Sequence, residues 1–375
     1  MAAHDPTKPL FIGAEIYRGS SYGAWHPLRV PRVSTVMDLS RALGWLGPAQ
    51  YVSSPRAKKP ALTAWHDPAY IDALSRVAAA QSASDADKET YHLGTVTNPV
   101  FPEMFTRPAT GVGGALLAGE LLKDGGIVYQ PGGGTHHGLP GRASGFCYLN
   151  DPAFAILSLR RNGAPRVAYI DIDAHHADGV EHGFGADENC LLISVHEAGL
   201  WPRTGTLNTS HATTLNLPVR RGFNDTEMQL VLHELILPVV TAFKPDAIVL
   251  QCGADAVEED PQSHLSLSNN AHWAVVEAMK PLAKRLLVQG GGGYNPWSVG
   301  RLWTGVWATL NGHDIPASLP PDPQSVLRAL RFDNNRRGRN PDPHWFTTLR
   351  DPERPGPVDD MLRQDIKMLR SISGV

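Results

Sequence analysis

Five short runs of mostly apolar, β-branched-rich sequence set the frame for the chain: Gly126 to Gln130, Arg166 to Ile172, Leu191 to Val195, Ala247 to Gln251 and Arg285 to Gln289. Their near-continuous apolar character is that of strands buried on both faces rather than strands with one wet face. Between and after them lie stretches at helical spacing: Asp151 to Arg161, Asp225 to Phe243, Asn270 to Lys280 and Pro296 to Leu310. Buried strands alternating with helices call for a parallel sheet covered on both faces, an α/β fold. Upstream, Ser34 to Leu46, Pro60 to Ala80 and Pro108 to Lys123 read as further helices, with Ser34 as N-cap of the first. After Gly312 the sequence turns rich in Pro, Asp and Arg, and apolar periodicity fades. The expected layout is a tail over 1–10, one catalytic domain over 11–312, and an extension over 313–375 of loops and short helices packed on that domain.

Composition narrows the function classes. With 375 residues, 42% of them hydrophobic, the chain can build a large core. A formal net charge of −3 gives no global positive field for nucleic acid or an acidic membrane. The basic run Arg336-Arg337-Gly338-Arg339 reads as solvated loop. Cys147, Cys190 and Cys252 form neither a disulfide framework nor a Cys-x-x-Cys pair, which points to a reducing compartment. The polar start, Met1 to Pro9, has no signal-peptide pattern, and no run approaches the roughly 18 apolar residues of a bilayer span. A cytoplasmic protein that binds neither nucleic acid nor membrane is expected; oligomeric state stays open.

The polar residues fall in telling places. His136-His137 follow the first run, Asp171 to Asp178 the second, Asp255 the fourth and Tyr294 the fifth. Functional groups of open α/β sheets gather beyond the carboxyl ends of the strands, so these loops predict one site. In Tyr169-Ile-Asp171-Ile-Asp173-Ala-His175-His176-Ala-Asp178-Gly179, residues two apart share a face if the backbone is extended. Asp173 and His175 can then grip one ion, with Asp255 as third ligand. Two carboxylates and an imidazole suit zinc with an open fourth position, as in catalytic rather than structural sites. Fe(II), Co(II) or Mn(II) would accept the same donors. The bland alternative is that these residues only cap a helix.

Around that centre, Pro131-Gly-Gly-Gly-Thr-His136-His137-Gly138 sets a histidine pair on a loop whose glycines allow close approach. A lone loop histidine is usually a surface residue; two beside spare carboxylates suggest proton transfer, with Asp171 and Asp178 each orienting one imidazole. Gly290-Gly-Gly-Gly293-Tyr294 lacks the Gly-Lys-Ser/Thr ending of a phosphate loop. It reads instead as a turn delivering the Tyr294 hydroxyl, a core tyrosine being the alternative. Together these parts suit amide hydrolysis: an ion to polarise the carbonyl, a histidine to move protons, a phenol to meet the oxyanion.

Gly145-Phe146-Cys147-Tyr148-Leu149-Asn150-Asp151, with the clusters above, resembles the histone deacetylase superfamily, especially its bacterial class I-like members, the histone deacetylase-like proteins and acetoin-utilisation deacetylases. The resemblance runs from about Phe11 to about Val358. It implies the arginase/deacetylase fold, a single domain around an eight-stranded parallel sheet. It also implies zinc-dependent removal of acetyl or other short acyl groups from lysine side chains of peptides or proteins. On the matching positions the metal ligands fall on Asp173, His175 and Asp255, the general base and acid on His137 with Asp178, the electrostatic partner on His136 with Asp171, and the oxyanion donor on Tyr294. A structural potassium ion would use Asp171, Asp173 and His175 backbone oxygens with Ser194 and Val195. Gly145 and Phe146 would line the acyl-lysine tunnel, and Arg32, after His26-Pro27, an internal channel for acetate exit. Departures concern the substrate. Trp201 stands where a second tunnel phenylalanine is usual, and Gln262 where an apolar rim residue is usual. No acid matches the rim aspartate near Thr97-Asn98, and Gly205 to Asn216 is shorter than the matching segment.

Three other readings compete. Arginase-like ureohydrolases would need acids where this chain has Ala177 and Val257, so a second metal lacks ligands. Gln262 and the missing rim acid leave room for an acetylpolyamine or other small acyl-amine deacetylase. A non-catalytic acyl-lysine-binding protein would not need the complete set of ligands, histidines and Tyr294.

Overall fold

The computed structural model describes residues 8–332 and 340–375, so the Arg336–Arg339 run and most of the expected N-terminal tail lie outside the described residues. One all-parallel sheet organises the rest. Its strands are β1 (Leu10–Gly13), β2 (Tyr51–Ser53), β3 (Gly126–Gln130), β4 (Val167–Asp171), β5 (Cys190–Glu197), β6 (Thr214–Val219), β7 (Ala247–Gln251) and β8 (Arg285–Gln289). They lie in the order β2-β1-β3-β8-β7-β4-β5-β6. Leu10, assigned to the tail from sequence, opens β1.

The order matters because β3, β8, β7 and β4 are contiguous. Their last residues are also in register, Gln130 beside Gln289, Gln289 beside Gln251 and Gln251 beside Asp171. Four polar loops therefore leave the sheet side by side at one edge. The row is itself polar and buried: the Gln289 amide donates to Gln130 Oε1 at 3.1 Å, and Tyr169 Oη lies 2.6 Å from Asp171 and 2.8 Å from the Gln251 amide. The Tyr169 hydroxyl is the one donor here, with Asp171 Oδ2 and Gln251 Oε1 as its two acceptors.

Three strands escaped the sequence reading for physical reasons. β1 and β2 are too short for a pattern to register, and β6 carries Asn216 and Pro218. A proline without an N–H is tolerated because β6 is an edge. Helix ends also moved. The helix expected from Ser34 is Val33–Ala42, with Arg32 at the N-cap and Ser34 buried in the first turn. The one expected over Pro60 to Ala80 is two, Lys59–Leu62 and Pro68–Ala80, because Pro68 restarts the chain behind Asp67. Asp225 to Phe243 is helical throughout with a π turn at Leu232–Ile236. This corrects one expectation: its 19 residues are long and apolar enough to cross a bilayer by length and composition. Its apolar side chains, including Met228, Val231, Leu235, Ile236 and Val240, are buried in the main core, which accounts for that composition.

The extension is more regular than expected, with helices Pro321–Ala329 and Asp360–Ser373. The first packs on Val33–Ala42 and the second on β6. One buried anchor is Asp351, whose Oδ1 lies 2.6 Å from Arg301 Nη2, both side chains being at most 1% exposed. Burial alone would raise the Asp351 pKa, but Arg301, then His344, outweigh it and hold the carboxyl below the usual carboxylate range. A depressed folded-state pKa gives stabilisation that is present above the unfolded value, about 4, and lost as pH falls below it. Asp351→Asn is therefore expected to cost about 3–5 kcal/mol in denaturant unfolding at pH 7, since it leaves Arg301 buried and unpaired. The difference from the parent should narrow below pH ~4; a difference constant from pH 7 to 3 would contradict this.

Candidate active site

β4 ends at Asp171, and the extended backbone assumed from sequence ends with it. Asp171 Oδ1 accepts the Asp173 N–H at 2.9 Å, and Asp173 Oδ1 accepts the His175 N–H at 2.9 Å. Two successive carboxylate turns, not a continued strand, thus bring Asp173 and His175 to one place. Asp255 arrives from the short 3-10 turn Ala254–Ala256 after β7, and its Oδ1 accepts the Ala174 N–H at 3.0 Å. Ligand atoms of Asp173, His175 and Asp255 all lie within 4.8 Å of one another. His175 Nδ1 sits 2.9 Å from Asp255 Oδ2 and 3.3 Å from Asp173 Oδ1. Glycine is required around them: a Cβ on Gly253 would come within 2.1 Å of Asp173 Oδ2, and one on Gly292 within 2.0 Å of Asp255 Oδ2.

This centre calls for a cation. Both carboxylates are at most 1% exposed, and paired buried anions are costly without a counter-charge. Burial, then the charge of Asp173, pushes the Asp255 pKa up. Burial pushes His175 down, but the two aspartates outweigh it and leave its pKa well above the ordinary imidazole value. Two oxygen donors and one nitrogen donor around a spot that attracts positive charge fit a zinc-like ion.

The histidine pair stands beside it. His136 Nδ1 is 2.7 Å from Asp171 Oδ2 and His137 Nδ1 is 2.6 Å from Asp178 Oδ1. An ionised carboxylate only accepts, so each Nδ1 carries a proton, while His136 Nε2 lies 3.8 Å from Asp173 Oδ1. Asn150 holds their loop, its Nδ2 donating to Gly138 O at 2.9 Å and His136 O at 3.2 Å while its Oδ1 caps the helix Asp151–Arg161. Burial and then the charge of His136 lower the His137 pKa to about 4. Burial also opposes the charge on His136, but Asp171 and Asp173 outweigh it and raise its pKa to about 9. Tyr294 is 7% exposed and lines the same cavity as both histidines, Asp173 and His175.

Gly145 and Phe146 line the outer part of that cavity. The Trp201 ring, 44% exposed, stands 4.6 Å from the His137 ring and closes on Gly145, where a Cβ would meet it at 2.3 Å. Arg32 lines the inner part and donates to Gly291 O at 2.7 Å. Ser194 pairs with Asp171 across β4 and β5, which brings those two of the residues named for a monovalent cation side by side. Gln262 is half-buried and is not among the residues lining the cavity; its N–H is tied to Asp260 Oδ1 at 2.9 Å.

Several residues were not singled out from sequence. Asn98, considered only for the acid it lacks, is buried and accepts the Phe146 N–H at 3.1 Å, which helps hold Phe146 at φ 68°. Asp260 accepts the Tyr294 N–H at 2.6 Å. Asp151 accepts the N–H groups of Gly134 and Thr135, both at 2.9 Å. Asn98 and Asp260 carry no local sequence signature, whereas Asp151 closes the Gly145–Asp151 string that carries the resemblance, where it was given no role of its own.

The chain is similar to known proteins over most of its length. Residues 26–310 match the model of the histone deacetylase domain. The chain is 33% identical over 328 residues to acetoin utilization protein AcuC of Bacillus subtilis, covering 84% of each chain. It is 32% identical over 309 residues to histone deacetylase RPD3 of Saccharomyces cerevisiae, covering 80% of this chain and 71% of that one. The crystal structure of an HDAC homolog from Aquifex aeolicus superposes with a TM-score of 0.90 at 31% identity, over 97% of this chain and 100% of that one. A structure described as an HDAC homolog complexed with SAHA matches equally well.

Zinc added to chelator-treated protein should raise its melting temperature by roughly 5 °C at saturating metal. Asp255→Ala should remove most of that response; equal shifts in both proteins would place the ion elsewhere.

Proposed function

The chain belongs to the histone deacetylase family, and from that premise we propose that it is a zinc-dependent amidohydrolase removing acetyl or other short acyl groups from lysine side chains of peptides or proteins. The observation that carries this reading is the convergence of the Asp173–His175–Asp255 donors, the two carboxylate-tied histidines and Tyr294 on one cavity. Asp173, His175 and Asp255 would hold the ion, which when bound supplies Lewis-acid polarisation of the acyl carbonyl and a more acidic water.

The protein's own groups do the rest. His137 is neutral at pH 7, and its Nε2 accepts the proton of the attacking water and returns it to the departing amine. Asp178 holds the ring in that tautomer and stabilises the imidazolium. His136, tied to Asp171, sets the local charge. The Tyr294 phenol donates to the oxyanion, and it stays protonated because burial, then Asp255 and Asp173, drive its pKa well above the ordinary value. Phe146 and Trp201 flank the lysine methylenes above Gly145. A structural potassium ion on the backbone oxygens of Asp171, Asp173 and His175, with Ser194 and Val195, belongs to the same reading.

One observation favours a second reading, deacetylation of acetylpolyamines: Asn98 is spent on Phe146, and no acid stands there to hold a peptide backbone. A panel of acetyl-lysine peptides, acetylputrescine and acetylspermidine separates the two. Higher kcat/KM on the peptides is expected; a tenfold preference for polyamines would replace the first reading. His137→Ala and Tyr294→Phe should keep fold and zinc while losing about 10²–10⁴-fold and 10²–10³-fold in kcat. Parent rates in either variant would remove its assigned role.

A further inference from the structure

Behind the histidines the cavity runs inward to a chamber bordered by Tyr17, Tyr22, Arg32 and Arg107. The cavity measures about 50 Å³, room for roughly four waters by the volume one water needs. Two guanidiniums face this small space. Arg107 is 7% exposed, donates through Nη1 to Ser20 O at 2.8 Å, and lies 5.3 and 5.4 Å from the Tyr17 and Tyr22 ring centroids. Arg32 donates through Nη1 to Gly291 O and lies over Trp303, while its Nε is buried with no partner.

Among the described residues, no carboxylate pairs with either arginine. Asp151 lines the cavity but is occupied: it accepts from Gly134, Thr135 and, at 2.7 Å, the Gln289 amide. The phenols do not compensate, since Tyr22 donates to Phe146 O and Tyr17, weakly at 3.5 Å, to Gly132 O. Each guanidinium has five N–H groups, and two such cations buried together cost several kcal/mol unless an anion joins them. The chamber also adjoins the reacting centre. Arg32 holds Gly291 O, and the next residue, Gly292, donates its N–H to Asp173 Oδ2 at 2.6 Å.

We propose that Arg32 and Arg107 form a carboxylate subsite, so that the acyl groups this site accepts include ones ending in a carboxylate, such as malonyl or succinyl. The inference rests on the deacylase reading for its chemistry, but the subsite has its own observable. Water supplies hydroxide to the acyl carbon and a proton to the lysine nitrogen as the C–N bond breaks, releasing succinate and the free amine. A fork of N–H donors suits a carboxylate, and the neutral amide of the same shape would leave the arginines unpaired.

Two measurements on zinc-loaded protein test this. In the first, kcat/KM is compared for peptides bearing acetyl-lysine, succinyl-lysine and the isosteric succinamoyl-lysine. Succinyl should exceed succinamoyl by tenfold or more, and Arg107→Gln should lower the succinyl-to-acetyl ratio at least tenfold, with Arg107→Lys recovering part of it. In the second, succinate should raise the melting temperature saturably in the parent and much less in Arg107→Gln, with succinamide inactive in both. Acetyl-lysine hydrolysis without a succinyl preference or an Arg107-dependent succinate response overturns the subsite. An Arg107-dependent succinate response in a protein that hydrolyses none of the peptides keeps the subsite and overturns the deacylase reading.

Discussion

Asp173 and Asp255 are held beside one another out of water, with His175 Nδ1 between them, and much of the sheet's carboxyl edge is arranged around that placement. Neither charge has solvent to screen it, so each is met by backbone N–H groups, Gly292 to Asp173 and Ala174 to Asp255. Glycine at 253 and 292 lets main chain approach where any side chain would collide. The field still reaches outward. Asp260 is pushed up to about 8 by burial and then by Asp255. A divalent cation held by Asp173, His175 and Asp255 would remove the repulsion at its source and so tie metal affinity to the energetics of the rim.

The groups around the centre are positioned by buried polar ties rather than by apolar packing alone. Asp260 fixes the Tyr294 backbone, Asn98 fixes Phe146, Asn150 and Asp151 fix the histidine loop, and the Thr204 hydroxyl, 2.8 Å from His176 Nδ1, anchors the loop that carries Trp201. The C-terminal extension takes part. Arg354 pairs with Glu259, next to Asp260, and lies 3.0 Å from Glu258. A segment that reads from sequence as a wrapping thus braces the loop that holds Tyr294.

Much of the site was legible because its chemistry is concentrated in unusual local strings. Asp-x-Asp-x-His after a buried run and four glycines before Tyr294 each stand out, and the contiguity of β3, β8, β7 and β4 gathers them. The resemblance supplied the eight-strand count, which periodicity could not, since β1 and β2 span only four and three residues. What stayed hidden depends on tertiary contact. Arg107, one residue before the helix expected from Pro108, draws no attention until the fold sets it on the same cavity as Arg32. The same holds for the path to His175, where carboxylate turns replace the strand that an alternating pattern suggests.

X-ray absorption at the zinc edge of protein loaded with one equivalent tests the central claim directly. A first shell of oxygen and nitrogen only, at about 2.0–2.1 Å with a single imidazole, is the predicted result, with a shell that changes when a hydroxamate is added. A sulfur ligand, a second imidazole, or a shell indifferent to hydroxamate would contradict the claim that Asp173, His175 and Asp255 hold the ion with one position open.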